Sequence, residues 1–476
     1  MYRISKAVSL FIVSLLLFGV LSALSSCKKN EERQSVKLTL SYDDENSIIT
    51  GKAVYKFVNS TNEAVRTVPF NLFANAYNEK NRALRKTYDD GYLNENSFGG
   101  IKINECLYNG KTAAYNLSDD ELSLEVITGD LFPSEIAEIT LGFTTTIPQA
   151  KLRLGKTENT VNLGDFYPVL CKMQADGFYK CGYNPFGDPY FADASDYFVE
   201  ISVPSKYVVA ASGFPEKTLI DNERTTYSYS LGGGRDFAFV LSDKYNVSSE
   251  KCGDVDLYYY SLTENNKNIE TVKRCFEFFC DKFGKYPHKT FSVAETDFAA
   301  GGMEYSGLTM LSDDLDEETL LLATVHETAH QWWHSAVGVN EVEDAYIDEG
   351  LCEYSTYLYL LENGMEKQAE EMITNAKALY KSFFEVNKVL NGSTDTVMSK
   401  GLSEFKNQNE YVAIAYGKSL IMFCELEKTT GKSKAISCLK KFYNGNMFKT
   451  AGLNELIKAF GHKEYFESYV NGKVVI

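Results

Sequence analysis

From residue 35 to about residue 262 apolar and polar positions alternate along the chain. Val36, Leu38 and Leu40 stand between polar neighbours, and the same period of two runs through Ala53-Val54-Tyr55-Lys56-Phe57-Val58 and Glu138-Ile139-Thr140-Leu141-Gly142-Phe143. A period of two, broken by Asn, Asp and Gly turns, predicts strands. Further strands are expected at 197–204, 207–211, 225–231, 237–241 and 255–262. So many short strands in one stretch predict a sandwich-like all-β module. After Thr263 the period lengthens: Ile269, Val272, Phe276 and Phe279 share a helical face, a strand-rich interval follows at 291–311, and helices dominate beyond it. Ser312-Asp313-Asp314 with Asp316, Glu317 and Glu318 offers a cap and negative charge for a helix N-terminus. A second helix is expected over 344–361, stopped by Asn363-Gly364. The pattern as a whole predicts a multidomain α+β chain, with an all-β domain at 36–262 followed by a mainly helical domain at 263–476.

Composition narrows the function classes. A chain of 476 residues suits two to four globular units. Its 44% hydrophobic and 24% charged residues exclude a disordered tail, a collagen-like fibre and a polytopic membrane protein. The formal charge is −17, and it becomes −19 once residues 1–26, with Arg3 and Lys6, are set aside. Such a surface repels phosphate backbones, and no nucleic-acid partner is expected.

The first residues are an export address. A short basic segment at 2–6 precedes an apolar run at 7–24 that ends in Leu24-Ser25-Ser26-Cys27. The run is nearly long enough to span a bilayer, so an uncleaved anchor competes with a cleaved signal. The last four residues resemble the lipobox of bacterial lipoproteins. That resemblance implies a signal peptide at 1–26, lipidation of Cys27, a polar tether over 27–35, and an exported protein anchored to the cell membrane or envelope. Nine cysteines follow Cys27, an odd number that cannot all pair within one chain. Cys171 and Cys181 flank a Gly-containing loop and are the one pair singled out for a disulfide.

Chemistry concentrates at His326-Glu327-Thr328-Ala329-His330. Residues four apart on a helix lie about 40° around and about 6 Å along the axis, so both imidazoles can meet one ion. Zinc suits two neutral imidazoles and a carboxylate, which leaves a fourth position for water. Glu327, one residue after the first ligand, can take the water's proton as general base. Glu349, in Tyr346-Ile347-Asp348-Glu349-Gly350, completes the ligand set for one zinc per chain. Glu353 lies one turn further and can hydrogen-bond a ligand imidazole. His334 stands about 12 Å along the axis from His326, too far to share the ion, and is expected to be a partly exposed helix residue.

With these residues placed, the chain resembles the alanyl aminopeptidase and leukotriene hydrolase family of gluzincin zinc metallopeptidases. Gly301-Gly302-Met303-Glu304-Tyr305 is similar to that family's Gly-x-Met-Glu-Asn signature, and Ala415-Tyr416-Gly417-Lys418-Ser419 to its Tyr-x-Lys-Gly segment. Asn71 to Ala76, Gly187-Asp188-Pro189 and Arg235-Asp236-Phe237-Ala238 resemble bacterial members. The resemblance implies a thermolysin-like catalytic domain. It also implies that Gly301, Gly302, Met303 and Glu304 bind substrate, with Glu304 on the α-amino group of a peptide, and that Tyr416 donates to the oxyanion. Tyr305 replaces the usual Asn, and the family's second amine-binding residue from the β-domain is not placed. Tyr411 is expected at the pocket wall without a catalytic role. Only about 60 residues follow Tyr416, so the large helical domain common in the family is expected to be missing and the cleft to be open. The leading reading is a membrane-anchored zinc aminopeptidase acting on peptides. A zinc endopeptidase with an open cleft is the alternative, and a non-catalytic peptide-binding lipoprotein the third.

Overall fold

The β-rich half is built on an eight-stranded sheet whose middle follows directly from the alternation. Ser35–Asp43 pairs in parallel with Ser195–Pro204, Val36 facing Tyr197, and antiparallel with Ile48–Val58, Val36 facing Tyr55. Val36, Leu38, Leu40 and Tyr42 are buried, whereas the residues between them are exposed. Two four-stranded sheets and a two-stranded ribbon complete this half, over a core drawn from Val36 to Leu241. The computed structural model describes residues 33–87, 91–264 and 268–475. The signal at 1–26 and Cys27 lie outside the described residues. Residues from Gln34 onward form one compact unit.

The structure moves the division expected at residue 262. The hairpin Asn246–Cys252 and Val255–Ser261 belongs to a five-stranded sheet of the C-terminal half, because Val255–Ser261 pairs in parallel with Thr290–Thr296, Leu257 facing Phe291. Helix α1 (Asn268–Lys282) makes the crossover between those two strands, as a parallel pair requires. Its Ile269, Val272, Phe276 and Phe279 are all buried, as their spacing predicts. The sheet ends in the two-residue edge strand Gly302–Met303, antiparallel to Leu308–Ser312.

Three further helices frame the site. Helix α2 (Glu317–His330) is capped by Asp316, whose side chain accepts from the Thr319 N–H at 2.8 Å. Helix α3 (Glu341–Glu362) has non-helical angles at Asp344, where the sequence places its start, so one turn precedes the expected helix across a kink. Helix α4 (Glu366–Asn391) runs beside them. Among the described residues, no helix is long and apolar enough to cross a membrane.

A shared apolar cluster joins the two halves, with Ala210, Ala238 and Val240 against Met303, Tyr305 and Met310. Arg235 bolts it. Its guanidinium donates to the carbonyls of His334 and Lys449, each at 2.8 Å. A Cβ on Gly338 would lie 2.1 Å from Arg235 Cζ, so glycine is what admits the arginine. Cys171 and Cys181 remain free, buried thiols, the former donating to Asn71 Oδ1 at 3.5 Å.

Candidate active site

Helices α2 and α3 present their ligands face to face. His326 Nε2 lies 3.1 Å from His330 Nε2 and 3.2 Å from Glu349 Oε2, and His330 Nε2 lies 3.5 Å from the same oxygen. The outer nitrogens are held as well: His330 Nδ1 is 3.0 Å from Asp348 Oδ1, and His326 Nδ1 is 3.0 Å from Glu353 Oε1. Carboxylates at both Nδ1 positions favour the tautomer protonated there, which turns both Nε2 lone pairs inward toward each other and Glu349. Such a convergence of acceptors is stable around a cation. The donor set of two imidazoles and one carboxylate therefore fits zinc. Asp348 is the residue the sequence reading passed over, although it sits beside Glu349.

Glu327 follows His326 into the same cleft, and its Oε2 is buried with no hydrogen-bond partner among the described residues. Burial pushes its carboxyl up to about 7, against the pull of the two imidazoles. Tyr416 lies in a wide, π-helical turn, Val412–Lys418, and its hydroxyl donates to Glu349 Oε1. Its ring stacks on His326 with centroids 5.9 Å apart. Burial, with Glu349 adding, keeps the phenol protonated well above its ordinary value. Tyr411 is buried at the cleft wall, 5.8 Å from the Tyr416 ring.

Gly301, Gly302, Met303 and Glu304 form another wall of this cleft, which has a volume of about 1040 Å³. Glu304 is 5% exposed and stands just past the edge strand. Burial pushes its carboxyl up to about 7, His330 opposing and Glu327 and Glu349 adding. The Met303 side chain turns away into the interface core, where its sulfur accepts from Arg153 Nε at 2.9 Å, so this residue offers the cleft its backbone. Tyr305 turns away too: a Cβ on Gly164 of the β-rich half would lie 1.9 Å from its hydroxyl. It fastens the edge strand to that half. Arg153 and Asp188 of the β-rich half, an ion pair, also reach the cleft. Asp188 lies in the Gly187-Asp188-Pro189 segment, whereas nothing in the sequence singles out Arg153.

His334 is not the partly exposed residue expected. It is 1% exposed, with Nδ1 2.5 Å from Glu341 Oε1 and Nε2 2.8 Å from Asp236 Oδ2. The helix widens to π-type over Gln331–Ala336, immediately after His330, within the segment that carries His334. Burial disfavours its charge, yet Glu341 and Asp236 outweigh that and hold the imidazole well above its ordinary value.

The sequence model of the peptidase family M1 domain matches residues 267–472. This part of the chain is a peptidase family M1 domain. Among curated proteins, endoplasmic reticulum aminopeptidase 2 of Bos taurus is 24% identical over 320 residues, which cover 61% of this chain and 31% of that protein. Aminopeptidase N of Oryctolagus cuniculus is 26% identical over 140 residues, 25% of this chain and 14% of that one. The matches therefore span less than a third of either relative's length. Among solved structures, the M1 zinc metallopeptidase of Deinococcus radiodurans superposes with a TM-score of 0.63 at 15% identity, over 94% of both chains. An E323A mutant of it bound to a Tyr-Ser-Ala substrate gives 0.61 at 15% identity, over 94% and 95%. At such identity the likeness establishes the fold, a β-rich domain followed by a mainly helical M1 domain.

Proposed function

We propose that the protein is a zinc-dependent aminopeptidase that removes residues from the N-termini of peptides, held at the bacterial envelope by a lipidated Cys27. The observation that carries the catalytic part is the position of Glu304. It is a buried carboxylate at the end of an edge strand, in the same cleft as His326, His330 and Glu349, and it accepts no hydrogen bond from the described residues. A peptide lying along the strand sets its free ammonium against that carboxylate, and only the first peptide bond then reaches the ligand cluster.

Zinc held by His326, His330 and Glu349 would supply Lewis acidity toward water and the scissile carbonyl. Glu327, with an unpaired carboxylate oxygen beside the cluster, takes the proton of the attacking water and returns it to the departing amine. Tyr416, still protonated, donates to the oxyanion as charge develops on it. Gly301 and Gly302 carry no side chain that would hold a peptide off the strand.

The test compares peptides with free and acetylated N-termini on wild type and Glu304→Ala. A charge-assisted contact of about 2 to 3 kcal/mol predicts a roughly 30-fold to 150-fold loss in kcat/KM on free peptides. Acetylated peptides should be poor substrates of both proteins. Internal cleavage of acetylated peptides, indifferent to Glu304, would refute the exopeptidase reading and establish an endopeptidase instead.

A further inference from the structure

We infer that the chain carries a second metal site, in which His334, Glu341 and Asp348 hold a divalent first-row ion. The inference does not depend on which peptide bonds the cleft cuts. One ligand atom from each of the three residues lies within 4.8 Å of the other two, and none of the three is more than 3% exposed. Two irregular turns bring them together. On a straight helix Glu341 and Asp348 would stand about 10 Å apart along the axis, but the non-helical angles at Asp344 interrupt α3 between them. Opposite them, the π-type turn Gln331–Ala336 that follows α2 carries His334 to the same point.

The contacts around His334 prepare it as a ligand. Asp236 Oδ2 lies 2.8 Å from Nε2, and Asp236 Oδ1 accepts from the Ser306 N–H at 2.8 Å, which fixes that carboxylate on the outer nitrogen. With the proton on Nε2, the Nδ1 lone pair turns toward Glu341 Oε1 at 2.5 Å. Two acceptors so close need positive charge between them. Asp236, Glu341 and Asp348 bring three negative charges, and Arg235 faces them with one positive charge, its N–H groups spent on the carbonyls of Ala192, His334 and Lys449. A proton on Nδ1 supplies one of the two charges missing, whereas a divalent ion on the neutral imidazole supplies both. A proton also leaves Glu341 Oε2 buried with no hydrogen-bond partner among the described residues, and the Tyr305 hydroxyl stands in the same condition. Glu341 and Tyr305 line one small cavity with His334 and Asp236, and its volume of about 30 Å³ has room for an ion and a water. Asp165, also on its wall, already accepts from the Tyr77 and Tyr190 hydroxyls. One imidazole with two carboxylates is a harder donor set than that of the first site, so manganese competes better with zinc here than there. The ion would tie α3 to the end of α2, and Asp348, which also holds His330 Nδ1, joins the two sites.

The test produces the full chain in medium supplied with zinc and manganese, purifies it without chelator and counts its metals by elemental analysis. Pulsed electron paramagnetic resonance of the bound manganese then counts the imidazole nitrogens on it. Wild type should hold about one zinc and one manganese per chain, the manganese coupled to a single imidazole nitrogen. Glu341→Gln, which keeps the shape and removes the charge, should lose the manganese and keep the zinc. Two zinc ions per chain, one of them lost in Glu341→Gln, would equally support the site. If Glu341→Gln fails to fold, the imidazole count on wild type decides alone. One metal per chain in wild type would overturn the inference and leave a proton shared by His334 and Glu341. Manganese coupled to two imidazoles, or retained in folded Glu341→Gln, would overturn it as well, because the ion would then sit elsewhere.

Discussion

Replacing Asp348 by Asn isolates the part of zinc affinity that comes from outside the ligand set. Asp348 Oδ1 lies 3.0 Å from His330 Nδ1, and both side chains are 1% exposed. Asparagine keeps the shape and one acceptor but loses the charge. A hydrogen bond to a charged group contributes about 1.5 to 3 kcal/mol against about 0.5 to 1.5 for a neutral one, so the loss should be about 1 to 2 kcal/mol. That corresponds to a roughly 5-fold to 30-fold weaker zinc site. Glu353→Gln makes the same change at His326, but there the carboxylate is 20% exposed and the imidazole 12%. Water shares that contact, and the loss should be only about 2-fold to 5-fold. The assay is competition for zinc with a chelating dye at one pH, on metal-free protein, with thermal unfolding of the metal-free forms as a control. In the metal-free protein the weakened contact to His330 is offset in part, because Asp348 adds to the burial that pushes the Glu341 carboxyl upward, and the unfolding control separates any change in stability from the change in affinity. Equal zinc affinity in all three proteins, or a larger loss from Glu353→Gln, would refute the argument that burial sets the strength of these contacts.

Three further outcomes are expected. Tyr416→Phe should retain zinc and KM while kcat falls by about 10²-fold to 10³-fold, as measured by metal analysis and steady-state kinetics; wild-type kcat would remove Tyr416 from the mechanism. Lys418 is fully buried, its Nζ donating to the carbonyls of Thr396 at 2.6 Å and Tyr469 at 2.8 Å, and burial pulls its ammonium from 10.5 down to about 7. Below pH 7 folded and unfolded chains are both protonated and the cost of the buried charge is fully present. Between pH 7 and 10.5 only the unfolded chain holds the proton, so wild type gains about 1.4 kcal/mol per pH unit. Lys418→Met should lose that gain, its Tm falling further behind wild type from pH 7 to 9.5; a constant gap would show that Lys418 does not titrate there. Cys27→Ser should leave an unprocessed precursor or release the protein from the membrane fraction, and normal processing and partition would contradict lipidation.

The convergence of the two histidines, with Glu327 beside them, was legible because a helix converts spacing into geometry. His326, Glu327 and His330 need no other element to define their mutual positions, and Glu349 and Tyr416 come with recognisable neighbours. What escaped depends on contacts between distant segments. Alternation at 255–262 announces a strand but not its sheet, and the parallel partner Thr290–Thr296 lies beyond a whole helix. His334 reads as solvent-facing until Asp236, 98 residues earlier, arrives beside it. Tyr305 departs from the family's Asn because its side chain serves the β-rich half, a role visible only when Gly164 is brought against it. Arg153 carries no local signal: its partners Asp188 and Met303 come from two other stretches of the chain.

The edge strand Gly302–Met303 has only two residues. An exposed strand edge invites any passing strand to add to it, and longer edges lead to stacking of whole sheets. Here a visitor finds two pairing positions at the floor of a cleft, enough to align a loose chain end and too few to nucleate a shared sheet. A strand inside a folded neighbour cannot reach them without first leaving its own sheet. For the aminopeptidase proposed above, chain mobility would therefore act as a first filter: a loose end or fragment can reach the strand, whereas a segment paired within a folded protein cannot.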